Sequence, residues 1–150
     1  MPALAALYAD AVRAAGPAYY DAAQVEAWAA FADEERFRRF VLDPLTLVAE
    51  DPCAGDESGI TGFVGLRADG HVTALYVRAD RMRRGIASAL LRAVIERSEA
   101  QGLRHLTTDA SKVSRSVFER HGFRVEAVET VERRGATFER YRMIRGLGAS

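Results

Sequence analysis

Apolar residues in the first part of the chain recur at helical spacing. Leu4, Leu7, Tyr8, Ala11, Val12 and Ala15 fall three and four apart, which predicts an amphipathic helix stopped by Gly16-Pro17. Asp21 is placed to cap a second helix, with Gln24 at the capping-box position and Tyr20 and Val25 flanking that start as a hydrophobic staple. A third, shorter helix is expected to begin at Asp33, with Phe37, Phe40 and Val41 on one face and Pro44 at its end.

The period then shortens to that of strands. Leu45–Glu50 is β-rich and is cut off by the polar loop Asp51–Ser58. Ile60–Arg67 alternates faces, and Asp69-Gly70 is a hairpin signal leading into the strand His71–Val77. Helical spacing returns over Arg84–Gln101, where Ile86, Ala89, Leu90, Leu91, Ala93 and Val94 are expected to be buried and Gly102 to end the helix. His105–Thr108 reads as a short strand, Ser114–His121 as a helix ended by Gly122, and Phe123–Val131 and Ala136–Ile144 as two strands joined at Arg134-Gly135. Strand, helix, strand across His71–Thr108 predicts a right-handed crossover between parallel strands, whereas the hairpins on either side are antiparallel. The expected fold is α/β with an α+β mixed sheet, one domain over residues 1–150 without repeat or linker.

Composition narrows the function classes. Hydrophobic residues make up 49% and charged residues 28%, as in ordinary globular proteins. Twenty-one basic residues balance 21 acidic ones, which argues against bulk attraction to nucleic acid or anionic membranes. One cysteine, Cys53, excludes an internal disulfide and a multi-cysteine metal site, and no metal is expected. No apolar run approaches a membrane span and no signal peptide is read at the N-terminus, so cytoplasmic residence is the expectation.

The stretch Met82-Arg83-Arg84-Gly85-Ile86-Ala87-Ser88 carries the chemistry. It follows a strand and opens a helix, where free backbone N–H groups and the positive end of the helix dipole meet. Arg81, Arg83 and Arg84 add positive charge where Asp or Glu is normally preferred. The start of this helix is built to receive an anion.

Those residues resemble a family. Met82-Arg83-Arg84-Gly85-Ile86-Ala87 is similar to motif A of the GCN5-related N-acetyltransferases (GNAT), Gln/Arg-x-x-Gly-x-Gly/Ala. Ser114-Arg115-Ser116-Val117-Phe118-Glu119-Arg120-His121-Gly122-Phe123 resembles their motif B, Ala-x-x-Leu-Tyr-Glu-x-x-Gly-Phe. The resemblance spans residues 44–145, and the front segment from Tyr19 to Ala29 is similar to the YafP-like bacterial subgroup. It implies acetyl-CoA as cosubstrate, with the pyrophosphate on the amides of Arg83 through Ala87, and Met82 and Ser88 at the neighbouring cofactor-binding positions. The strand before the loop is expected to carry a bulge and to splay from its parallel neighbour. The pantetheine arm then pairs with backbone groups of Leu75, Tyr76 and Val77, and the Val77 amide serves as oxyanion donor. Ser111, Ser114, Ser116 and Phe118 take the remaining CoA-contact positions. Three positions depart from the family pattern: Met82 replaces Gln or Arg, Phe118 stands where many members have the Tyr that protonates the leaving thiolate, and Ser111 stands where Asn is frequent. The family's usual first strand is not found ahead of the first helix, which leaves a sheet edge.

Catalytic side chains are less legible. Attack by an amine needs a neutral nitrogen and hence a base or a water relay. Many relatives use a Glu in the strand before motif A, a strand that here offers His71, Thr73 and Tyr76. His71 reads either as that base or as a strand-edge histidine, and Glu26 either as a catalytic carboxylate or as a solvated charge. Tyr76 could supply an acid or simply pack its ring. Tyr19, Tyr20 and Trp28 are candidates for the acceptor pocket, with core packing as the other reading. Ser114 and Ser116 read equally as helix caps. The expected activity is acetyl transfer to the amine of a small molecule by direct attack in a ternary complex. The alternative is a non-catalytic acyl-CoA-binding or regulatory domain. Nucleic-acid binding through Arg78, Arg81, Arg83 and Arg84 is disfavoured by zero net charge and the lack of nearby stacking aromatics. A homodimer formed through an open edge or the closing hairpin is left open by composition.

Overall fold

In the computed structural model, residues 2–42, 45–51 and 59–148 are described. Three helices lead: α1 (Pro2–Ala15), α2 (Ala22–Ala29) and α3 (Glu35–Leu42). The Asp21 side chain accepts from the Gln24 amide at 2.7 Å while the Gln24 side chain accepts from the Asp21 amide at 2.9 Å, so the expected capping box is formed. The start of α3 differs from expectation. The chain stays helical through a 3-10 turn over Ala30–Asp33, so Asp33 is spent in that turn. Glu34, at φ −84° and ψ 145°, takes the extended conformation that precedes α3. Pro44 and Cys53, like the side chain of Val41, lie outside the described residues.

The strands β1 (Leu45–Glu50), β2 (Ile60–Leu66), β3 (His71–Val77), β4 (His105–Ala110), β5 (Arg124–Arg133) and β6 (Ala136–Gly146) form one mixed sheet in the order β1-β2-β3-β4-β6-β5. All neighbours are antiparallel except β3 and β4, which are parallel as the crossover requires. Helix α4 (Ile86–Ala100) makes that crossover, and α5 (Arg115–Arg120) follows β4. β4 runs two residues beyond the expected Thr108 because its pairing with β6 continues to Ala110↔Tyr141.

Each sheet face has its own core. On one face α4 and α5 bury Leu90, Leu91, Val94, Ile95 and Phe118 against Val64, Val72, Leu106, Ala110 and Met143. On the other, α1 to α3 bury Leu7, Tyr8, Val12, Val25 and Phe37 against Phe63, Ala74 and Phe138. The buried stripe of α4 is rotated from the expected one. Ala89 and Ala93 are exposed and Ile86 is half-buried, while Ile95 and Ser98 are buried. Branched side chains remove far more apolar area from water than a methyl group does, so they take the sheet and the alanines turn outward. At Gly62 any Cβ would lie 3.0 Å from the Tyr76 carbonyl oxygen and 3.1 Å from the Ile86 side chain. Glycine there lets the first turn of α4 seat closely over β2 and β3, which sets the position of the loop ahead of it.

Candidate active site

The parallel pair β3–β4 is short. It has two registered pairs, His71↔Thr107 and Val72↔Thr108. At the next residue β3 is bulged: Leu66 pairs with Val72 and Gly65 with Ala74, which leaves Thr73 as the extra residue. Beyond it the two strands diverge. The Arg78 amide donates to the Thr61 carbonyl at 2.8 Å, so alternation turns the backbone polar groups of Leu75 and Val77 away from β2, into the gap. The Thr73 hydroxyl oxygen is buried with no hydrogen-bond partner.

The loop at the open end of β3 meets the start of α4. After a single turn over Ala79–Arg81, Met82 is extended, Arg83 has φ 64° and Gly85 has φ 79°. Among the described residues, its chain neighbours aside, no atom lies within 4 Å of where a Gly85 Cβ would sit, so it is the left-handed backbone, not crowding, that demands glycine. The non-glycine Arg83 in the same region marks backbone strain of the sort found at ligand clamps. The first bond of α4 runs from the Ala89 amide to the Gly85 carbonyl at 2.9 Å, so the amides of Ile86, Ala87 and Ser88 have no carbonyl one turn back. No side chain caps this end and no acid sits in its first turn. Arg78 is paired with Asp80 at 2.8 Å and Arg81 with Asp51 at 3.7 Å, whereas Arg83 and Arg84 are exposed beside the helix start. Amide donors, a dipole end and two exposed guanidinium groups are the donor set that a diphosphate needs.

A gap between parallel strands that leads to an uncapped, arginine-flanked helix start is the arrangement that the family resemblance implies. Residues 17–145 match the model of the acetyltransferase (GNAT) domain. The chain belongs to the GCN5-related N-acetyltransferase family. It is 34% identical over 140 residues to the uncharacterized N-acetyltransferase YafP of Escherichia coli (strain K12), an alignment covering 93% of this chain and 85% of that one. A GCN5-related N-acetyltransferase structure from Rhodopseudomonas palustris matches with a TM-score of 0.88 at 28% identity, covering 97% of this chain and 89% of that one. The PaiA N-acetyltransferase of Thermoplasma acidophilum, solved in complex with coenzyme A, shares the fold at a TM-score of 0.66 and 18% identity, over 95% of this chain and 90% of that one. The protein is an acetyltransferase. Among the described residues no helix is long and apolar enough to cross a membrane, and no group of His, Cys, Asp or Glu is arranged to hold a metal.

Three of the aromatic candidates, Tyr20, Trp28 and Tyr76, join one cluster in the core beneath α1 to α3. Tyr76 on β3 packs against Tyr8 at 4.6 Å and Trp28 at 6.4 Å between ring centroids. Burial pushes the Tyr76 hydroxyl up to about 12, and burial together with the neighbouring Tyr76 raises that of Tyr8 further. Both phenols hold their protons at neutral pH, and the Tyr8 hydroxyl donates to the Trp28 carbonyl at 3.3 Å. The ring of Tyr20 is wedged between Trp28 and Phe138, and its hydroxyl accepts from the Lys112 amide at 3.0 Å. That bond ties the α1–α2 connection to the segment after β4. Tyr19 is exposed.

Other candidates fall elsewhere. Glu26 lies on the outer side of α2 in an exposed ion pair with Arg13 at 3.2 Å and is not brought to the gap. Ser111 and Ser114 bond reciprocally: the Ser114 amide donates to Ser111 Oγ at 3.2 Å and the Ser111 amide to Ser114 Oγ at 3.1 Å. This closes the turn before α5, while Ser116 is exposed. Phe118 is buried, edge-on to Phe123 at 5.0 Å, and offers no polar atom. His71 is brought to the closed end of the gap, with Nδ1 2.8 Å from Thr107 Oγ1 and Nε2 3.6 Å from Asp109 Oδ2. Thr107 and Asp109 were not legible as site residues. Their one sequence signal is alternation with the apolar Leu106 and Ala110, which places them on a common face but does not name the strand beside them.

Proposed function

We propose that this acetyltransferase takes acetyl-CoA as donor and acetylates the amine of a small molecule by direct attack, without a covalent enzyme intermediate. The observation that carries the reading is the uncapped start of α4, with its three unbonded amides and exposed Arg83 and Arg84, at the mouth of the β3–β4 gap. The amides of Ile86, Ala87 and Ser88 and the loop from Met82 to Gly85 would hold the pyrophosphate, with Arg83 and Arg84 supplying charge that Met82 cannot. When bound, the cosubstrate supplies the thioester. The outward-turned polar groups of Leu75 and Val77 are available to a ligand lying along β3 like an added strand, and the Val77 amide is the donor assigned to the thioester oxygen. His71, kept neutral by burial, is the base, and Tyr76 is a hydrogen-bond donor at the same wall of the gap.

A panel of small primary amines, assayed for release of free CoA thiol from acetyl-CoA, tests the reading. Release that depends on the amine is expected. Tight acetyl-CoA binding by calorimetry with no release from any amine would leave a binding domain in place of an enzyme.

A further inference from the structure

Three side chains at the closed end of the gap form a chain of their own. Leu106, Ala110 and Val72 pack in the core beneath α4 and α5, so alternation sends Thr107, Asp109 and His71 to the opposite face of the sheet. There Thr107 Oγ1 lies 2.8 Å from His71 Nδ1, and Asp109 Oδ2 lies 3.6 Å from His71 Nε2. The His71 and Asp109 side chains retain 20% and 32% of their surface, so the group is partly desolvated yet within reach of a ligand. His71↔Thr107 is the register next to the last one before the strands part, and the bulged Thr73 follows two positions further along β3.

Hydroxyl, imidazole and carboxylate in this order is an arrangement with known consequences. A carboxylate favours the proton on the ring nitrogen that faces it, which leaves the other nitrogen to draw on the hydroxyl. Here the Asp109 carboxylate, 3.6 Å from Nε2 and so in charge contact without a hydrogen bond, favours the tautomer protonated at Nε2, in which Nδ1 would accept from Thr107. We propose that Thr107, His71 and Asp109 form a proton relay for the acceptor amine, in which the Thr107 hydroxyl meets the amine and Asp109 is a positioning residue. The inference rests on the acetyl-transfer reading above. As the amine lone pair forms the bond to the acetyl carbon, the surplus N–H proton passes to Thr107 Oγ1 while the hydroxyl proton passes to Nδ1. The C–S bond breaks with its electron pair on sulfur, and the imidazolium, stabilised by Asp109, gives its proton to the thiolate or to water. The groups facing His71 are Asp109 on β4, Arg67 and Asp69 at the β2–β3 turn, and Arg140 on β6. Burial, with the two arginines, holds the imidazole below its ordinary pKa against the pull of Asp109, so it is neutral and able to accept at pH 7.

A purely structural clip between β3 and β4 would need the same contacts, so the test must separate shape from proton transfer. Thr107→Val keeps the shape and removes the hydroxyl; kcat/KM for the amine is expected to fall about 10²-fold, with acetyl-CoA affinity unchanged. Thr107→Ser is expected to recover most of it. Asp109→Asn removes the charge that raises the His71 pKa, so the acid limb of the kcat/KM profile is expected to move to lower pH. Wild-type kcat/KM in Thr107→Val, or an unmoved limb in Asp109→Asn, overturns the relay. Nitrogen-15 NMR of His71 gives a readout independent of turnover: Nε2–H supports the relay, and Nδ1–H overturns it. Failure of the underlying reading looks different, since the wild-type protein would then release no CoA thiol with any amine, whether or not it binds acetyl-CoA.

Discussion

Two helices of this protein begin in opposite ways. The start of α2 is closed by its own residues: Asp21 and Gln24 bond each other's amides, and the Gln24 side chain also donates to the Thr137 carbonyl at 2.6 Å. The start of α4 is left open, with glycine where a capping side chain would stand, no acid in its first turn, and Arg83 and Arg84 just ahead of it. Both ends face the same requirement, since the first amides of any helix lack intrahelical acceptors. In α2 the protein meets it internally and gains stability. In α4 no side chain meets it, and in the function proposed above a ligand does; Ile86 and Leu90 pack closely over Gly62.

That contrast can be broken at either end. Gly85→Val forces a β-branched residue into the left-handed region, which costs on the order of 1–2 kcal/mol. Distortion of the loop is expected to carry that cost into acetyl-CoA binding, and unchanged affinity by calorimetry would sink the phosphate assignment. Asp21→Ala is expected to lower stability by about 1 kcal/mol, read by thermal or chemical denaturation, with acetyl-CoA affinity intact. Ser88→Asp sharpens the contrast by giving α4 the acid it lacks. The unliganded protein is expected to gain about 0.5 kcal/mol from the helix dipole, while acetyl-CoA binds more weakly because a carboxylate now competes for the same amides.

Much of this was legible in one dimension. The capping box at Asp21, the hairpin at Asp69-Gly70, the helix end at Gly102 and the anion loop at Met82–Ser88 are each written in adjacent residues, and the structure forms the turns and the helix ends. Misreadings arose where neighbours along the chain were not the deciding neighbours. Ala89 and Ala93 fit the helical period as well as Ile95 does, and only competition for a particular sheet surface turned them outward. Asp33 is a good capping residue in isolation, but the preceding turn reached it first. Glu26 shares a helix with Trp28, yet 3.6 residues per turn carry it to the outer side while Trp28 faces Tyr76.

By itself the sequence determined the order of elements, the parallel crossover, the family and the uncapped loop proposed above to hold an anion, because each is read from short motifs of adjacent residues and from their order along the chain. Tertiary structure alone decided that the expected bulge falls at Thr73, and it alone brought His71 to Thr107 and Asp109, which lie 36 and 38 positions further along the chain. Strand pairing brings such residues together at a register set by the packing of both faces, and no local pattern records which partner a strand will find.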